Sequence, residues 1–108
     1  MSAGASSQAA SNDPVRIDAN HYSAEYEDDR VRIVRVRYAP GEKSVMHAHP
    51  ALIIIALTEG TIRMTYPDGR AEDITMTAGQ AAAMPAVEHL PQNIGGRPFE
   101  GILVELKG

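Results

Sequence analysis

The stretch Gly41-Glu42-Lys43-Ser44-Val45-Met46-His47-Ala48-His49-Pro50-Ala51-Leu52-Ile53-Ile54-Ile55-Ala56-Leu57-Thr58-Glu59-Gly60 decides the reading of this chain. Its β-branched centre predicts a strand from about Val45 to Leu57, closed by Glu59-Gly60. His47 and His49 stand two apart, so a strand puts both imidazoles on one face. Two ring nitrogens so placed reach one cation at about 2.0–2.2 Å. Pro50 lacks an N–H and biases His49 towards extended backbone, which marks an edge, an end or a bulge. Ile53 has the parity of His49 and is expected to face the same interior.

Working outward, the same pattern recurs: a short β-branched run, then a turn signal. Arg30 to Tyr38 closes at Ala39-Pro40-Gly41, Thr61 to Tyr66 at Pro67-Asp68-Gly69, and Ala71 to Met76 at Ala78-Gly79. Gln80 to Met84 ends at Pro85, and Phe99 to Leu106 follows Gly95-Gly96-Arg97-Pro98. No helix is expected, because Gly and Pro punctuate the chain often and apolar residues do not recur at helical spacing. Evenly spaced short strands predict an all-β sandwich or barrel. Asp68-Gly69 marks a hairpin, with Ile62, Met64 and Tyr66 on its inward phase. Between Arg30 and Tyr38 two apolar sets occupy opposite faces, Val31 with Ile33 and Val34 with Val36 and Tyr38. Either a bulge shifts the phase or both faces are covered, the second by a partner subunit. Arg30, Arg32, Arg35 and Arg37 follow an acidic run, Glu25 to Asp29, and read as solvated charges pairing across strands in preference to an anion site.

The chain has 108 residues, enough for one domain. It has no cysteine, which excludes a disulfide scaffold, a thiolate zinc site and a cysteine nucleophile. A net charge of −4 argues against a general nucleic-acid surface. Residues 1–13 read as a disordered polar tail and 14–108 as the domain. No secretory signal or membrane span is visible, so the cytoplasm is the default location and no membrane partner is expected. The remaining soft ligands are four histidines, of which His21 lies outside every motif and reads as a surface residue.

The order Gly41-x5-His47-x-His49-x10-Gly60, then Gly79-x5-Pro85, then His89-x3-Asn93, resembles the paired motifs of the cupin superfamily. The resemblance spans about half the chain. It implies a double-stranded β-helix, a jelly-roll barrel of six to eight strands, with His47, His49 and His89 as ligands of a divalent metal (iron, manganese, nickel or zinc). It also implies pairing as a homodimer and a small-molecule ligand or substrate.

Two departures bear on function. The Glu usual three or four residues after the second histidine is replaced by Ile53 and Ile54, neither of which coordinates metal. The segment Pro85-Ala86-Val87-Glu88-His89 lacks a glycine and is one residue short. One reading keeps a metal on three neutral imidazoles, with open positions for an anionic chelating substrate, and resembles the three-histidine dioxygenases. The other is a non-catalytic binding or sensor protein with a weakened or absent metal site. Pocket candidates are Ile53, Met64, Tyr66 and Glu88. Tyr66 either donates to a substrate oxygen or bonds to backbone. Glu88 is either a base beside His89 or, preferably, a solvated carboxylate. Met46, Met64, Met76 and Met84 fill core gaps or supply a soft lining. Glu59 is expected to be exposed.

Overall fold

A computed structural model describes residues 12–108. Most of the tail expected over 1–13 lies outside the described residues. Asn12 and Asp13 belong to the folded unit: the Ala48 N–H donates to the Asn12 carbonyl at 3.0 Å, and Asp13 is ion-paired with Arg32 at 2.7 Å. Asp13 also caps a single helical turn, α1 (Pro14–Ile17), by accepting from the Val15 N–H at 3.1 Å. No sequence window announces α1, because one turn is too short to show a period.

Nine strands follow among the described residues: β1 Tyr22–Glu27, β2 Val31–Tyr38, β3 His47–His49, β4 Leu52–Ala56, β5 Gly60–Thr65, β6 Ala71–Met76, β7 Ala81–Met84, β8 Val87–Asn93 and β9 Phe99–Leu106. They form a five-stranded sheet, β1-β2-β9-β4-β7, facing a four-stranded one, β3-β8-β5-β6. All named pairings are antiparallel. This is the expected jelly roll with one strand more than the upper limit. The inner faces meet in a core of Val34, Val36, Leu52, Ile54, Ile62, Met64, Met76, Phe99 and Leu103, with Tyr22 and Tyr38. Gly60 lets β5 approach it closely, since an added Cβ would lie 2.7 Å from the Phe99 ring. The β5–β6 hairpin forms as read, with Gly69 at φ +87° in its turn.

The strand expected from Val45 to Leu57 is two strands, and each belongs to a different sheet. The break at Pro50-Ala51 shifts the phase by one residue, so Leu52 and Ile54 point inward. Ile53 faces outward and is 37% exposed. It therefore does not share the interior with His49, which corrects its place as a pocket residue. β2 keeps one phase throughout; the irregularity lies in its neighbour β1, between Ala24 and Tyr26. Arg32 consequently points inward with Val34, Val36 and Tyr38, where it was expected to be solvated. Arg35 does pair across strands as expected, with Glu25 and Glu100.

The outer face of the larger sheet carries an apolar row. Register aligns Tyr26 with Ile33, Ile33 with Val104, Val104 with Ile53, and Ile53 with Ala83. Beside it, Ile55 pairs with Ile102. No helix among the described residues is long and apolar enough to cross a membrane.

Candidate metal centre

The site is built by two paired strands. β3 presents His47 and His49 on one face, and β8 places His89 directly opposite His47. Residues opposite each other in an antiparallel pair share a face, so all three rings project to the same side. The two-residue link Pro85-Ala86 brings β8 into this register despite its shortness. One ligand atom from each histidine lies within 4.8 Å of the others. Ring centroids are 4.7, 5.0 and 5.1 Å apart, each pair near-perpendicular. All three side chains are buried.

Burial controls their charge. Desolvation, with the neighbouring imidazoles, pushes the pKa of His47 down to about 3. Desolvation, with His49, does the same to His89, again to about 3. Both are neutral at physiological pH, the form that ligates metal. Neither ring nitrogen of His89 has a hydrogen-bond partner among the described residues. A buried histidine with two orphaned nitrogens, facing two more imidazoles at ligand spacing, fits a divalent metal.

An acid backs each of the other two rings, Glu105 directly behind His49 and Asp18 behind His47 through Ser44. Glu105 on β9 is 3% exposed and places Oε2 3.3 Å from His49 Nδ1. Its other oxygen accepts from Arg32 Nε at 2.8 Å. Burial works to raise the Glu105 pKa, but the bonds from His49 and Arg32 outweigh it and hold the carboxyl below its ordinary value. Behind His47, Ser44 Oγ lies 3.0 Å from Nδ1 and donates to Asp18 Oδ2 at 2.5 Å. His21 Nδ1 meets Asp18 at 2.8 Å, and its Nε2 meets Glu42 at 3.2 Å. The His21 ring stacks on Tyr38 at 4.5 Å. His21 is thus half-buried and bonded at both nitrogens, a correction to its reading as a surface residue.

A cavity of about 40 Å³ adjoins His49 and His89. Its walls are apolar, among them Leu52, Ile54, Met64, Met84 and Phe99, with Tyr22 and Tyr38 beside His49 and His89. The two tyrosine hydroxyls are 2.6 Å apart, and burial raises both pKa values, so both keep their protons. Met64 lines this cavity as expected, and Met84 with it. Tyr66 and Glu88 do not. The Tyr66 hydroxyl turns away to Glu72, and Arg70 covers its ring. Glu88 pairs with Ala48 on the opposite face of the ladder and is exposed. Glu59 is exposed, as expected.

Sequence reasoning passed over Tyr22, Asp18, Ser44 and Glu105. A signal existed for one of them. Glu105 continues the inward phase of Phe99, Gly101 and Leu103, and a charge on an apolar phase marks a buried partner. Arg32 shows the same anomaly on β2, and the two are register neighbours.

A family model described as a cupin domain matches residues 34–105. The chain belongs to the cupin domain family. Its fold is similar to that of a cupin domain from Bordetella pertussis Tohama I, at 24% identity and a TM-score of 0.74, covering 81% of this chain and 92% of that one. It is also similar to an RmlC-like cupin from Methanocaldococcus jannaschii, at 19% identity and a TM-score of 0.61, covering 83% and 84%. A more distant likeness is to an oxalate oxidase in complex with the substrate analogue glycolate, at 21% identity and a TM-score of 0.53, covering 68% of this chain and 40% of that one. No curated protein matches.

Proposed function

We propose that this cupin holds a divalent metal, iron, manganese, nickel or zinc, on His47, His49 and His89, and acts as an oxygenase on a small anionic or chelating compound. The observation that carries the reading is His89: two buried ring nitrogens without partners among the described residues, facing the imidazoles of His47 and His49. When bound, the metal supplies Lewis acidity and, if it is iron, redox chemistry with dioxygen. The residues of the chain do the rest. Three neutral ligands leave the metal's two positive charges uncompensated, which favours an anionic ligand. The apolar walls exclude water, and the Tyr22 hydroxyl, 3.5 Å from His47 Nε2, is placed to donate to a ligand oxygen. The cavity, about 40 Å³, favours a small substrate. A small carboxylate such as the glycolate bound by the oxalate oxidase has the required charge.

The test is elemental analysis of untagged protein, followed by anaerobic loading with Fe²⁺ and oxygen-uptake assays with small hydroxy acids, oxo acids and diketones. Stoichiometric metal with substrate-dependent uptake supports the proposal, and a protein that binds none of the four metals sinks it. One observation favours a second reading, a binding or sensor protein. Among the described residues no carboxylate lines the cavity, whose two hydroxyls hold their protons tightly. That reading expects thermal stabilisation by such ligands without turnover.

We also propose that a second copy of the chain covers the row Tyr26, Ile33, Val104 and Ile53. Exposed contiguous apolar surface on a sheet commonly marks such an interface. Ile53→Lys places a charge at its centre, and sedimentation should then show a dimer in the wild type and a monomer in the variant. A monomeric wild type would remove this part of the proposal.

A further inference from the structure

Resting on the metal reading above, we propose that Asp18 and Ser44 are positioning residues of the metal centre. Together they lock His47 as the tautomer with its proton on Nδ1, so that the Nε2 lone pair faces the site. The argument is a proton count. The Ser44 hydroxyl has one hydrogen, and it goes to Asp18 Oδ2 at 2.5 Å. Ser44 Oγ can then only accept from its remaining neighbours, the Tyr38 hydroxyl and His47 Nδ1, the latter at 3.0 Å. The Nδ1 proton is thereby fixed, and only the opposite nitrogen has a free lone pair.

Asp18 is itself held in place. Its carboxylate takes both contacts from His21 Nδ1, at 2.8 and 2.9 Å, and Glu42 anchors the far side of the same ring. His21 is packed against Tyr38, so the clamp is tied to the cavity wall. A parallel arrangement acts on His49. Its Nδ1 faces the Glu105 carboxylate, which offers acceptors only, so it too bears the proton. Two of the three rings thus turn the same nitrogen inward for the same reason, whereas His89 has no such partner.

The segment that delivers Asp18 and His21 precedes β1 and lies outside the family match at 34–105. It is attached at its start by Asn12 to Ala48 and by Asp13 to Arg32. The metal centre is therefore completed by an N-terminal strap that the two histidine motifs do not include.

Two measurements test this. Nitrogen-15 NMR of the metal-free, full-length protein at neutral pH should show His47 protonated on Nδ1, and Ser44→Ala and Asp18→Ala should shift it towards a tautomer mixture. Titration with Co²⁺, followed by its visible bands, should show about 10- to 100-fold weaker binding in each variant. The double variant should bind no more weakly than the weaker single one, because Asp18 acts through Ser44. Ser44→Thr, which keeps the hydroxyl, should restore binding. An Nε2–H tautomer in the wild type overturns the proposal, as do additive losses or unchanged Co²⁺ affinity. If the wild type binds no Co²⁺, the metal reading fails, while the NMR result still decides the tautomer.

Discussion

Replacing His89 with leucine should raise the melting temperature of the metal-free protein while abolishing metal binding. Most buried substitutions destabilise, so the direction is diagnostic. Both His89 ring nitrogens are desolvated and unpartnered. An unsatisfied buried polar group costs about 1–3 kcal/mol. Leucine has a similar volume and suits the neighbouring Met64, Met84 and Leu52. A gain of about 1–2 kcal/mol corresponds to several degrees for a domain near this size. With two imidazoles left, the site should no longer retain stoichiometric metal. Calorimetry of the metal-free forms, beside elemental analysis, checks both halves. A leucine variant that melts lower and still carries metal would contradict the account of the site. The physical content is that folding stability has been given up locally to hold three desolvated donors ready for an ion.

Acid should unfold the metal-free protein earlier than its carboxylates alone would. His47 and His89 titrate near 6.5 in an unfolded chain but stay neutral in the folded protein down to about pH 3. Below pH 6.5 the unfolded chain takes up protons that the folded one refuses. Stability therefore falls as pH drops from about 6.5 towards 3, and their contribution is flat above that window. Well inside the window each histidine removes about 1.4 kcal/mol per pH unit. Two of them can exhaust the stability of an ordinary domain before pH 3 is reached. Glu105 adds to the loss at the lower end, because its folded pKa lies below the ordinary value of 4.5. Thermal unfolding followed between about pH 6 and 5, above that carboxylate range, should show a steep decline that His89→Leu makes shallower. A flat profile there would mean that the imidazoles are solvated and the site open.

The hairpin at Asp68-Gly69 and the strands Ala71–Met76 and Phe99–Leu106 were legible because alternation and turn residues are local properties. β1 and β8 were not. β1 buries only Tyr22 along its length, so it shows no alternation. β8 contains Pro91 and several polar residues, and its register is set by β3 and β5 on either side. Ile53 was misplaced for a related reason. Parity was carried through Pro50-Ala51, where the chain leaves one sheet for the other and the phase resets. Tyr66 keeps its inward phase and packs against the core, but as the last residue before a turn its hydroxyl follows a nearby acceptor, Glu72.

The sequence by itself determined the family, the all-β class and the three histidines, because motif spacing and strand period need no knowledge of which strands meet. The tertiary structure decided what surrounds those histidines. Asp18 lies 26 residues from Ser44 in the chain, and Glu105 lies 56 from His49. Which acid stands behind which imidazole depends on strand order and on the docking of the N-terminal strap. Those long-range contacts also make the interior dry enough to hold His47 and His89 neutral and to leave His89 without a partner among the described residues, a property of burial that no local stretch of sequence carries.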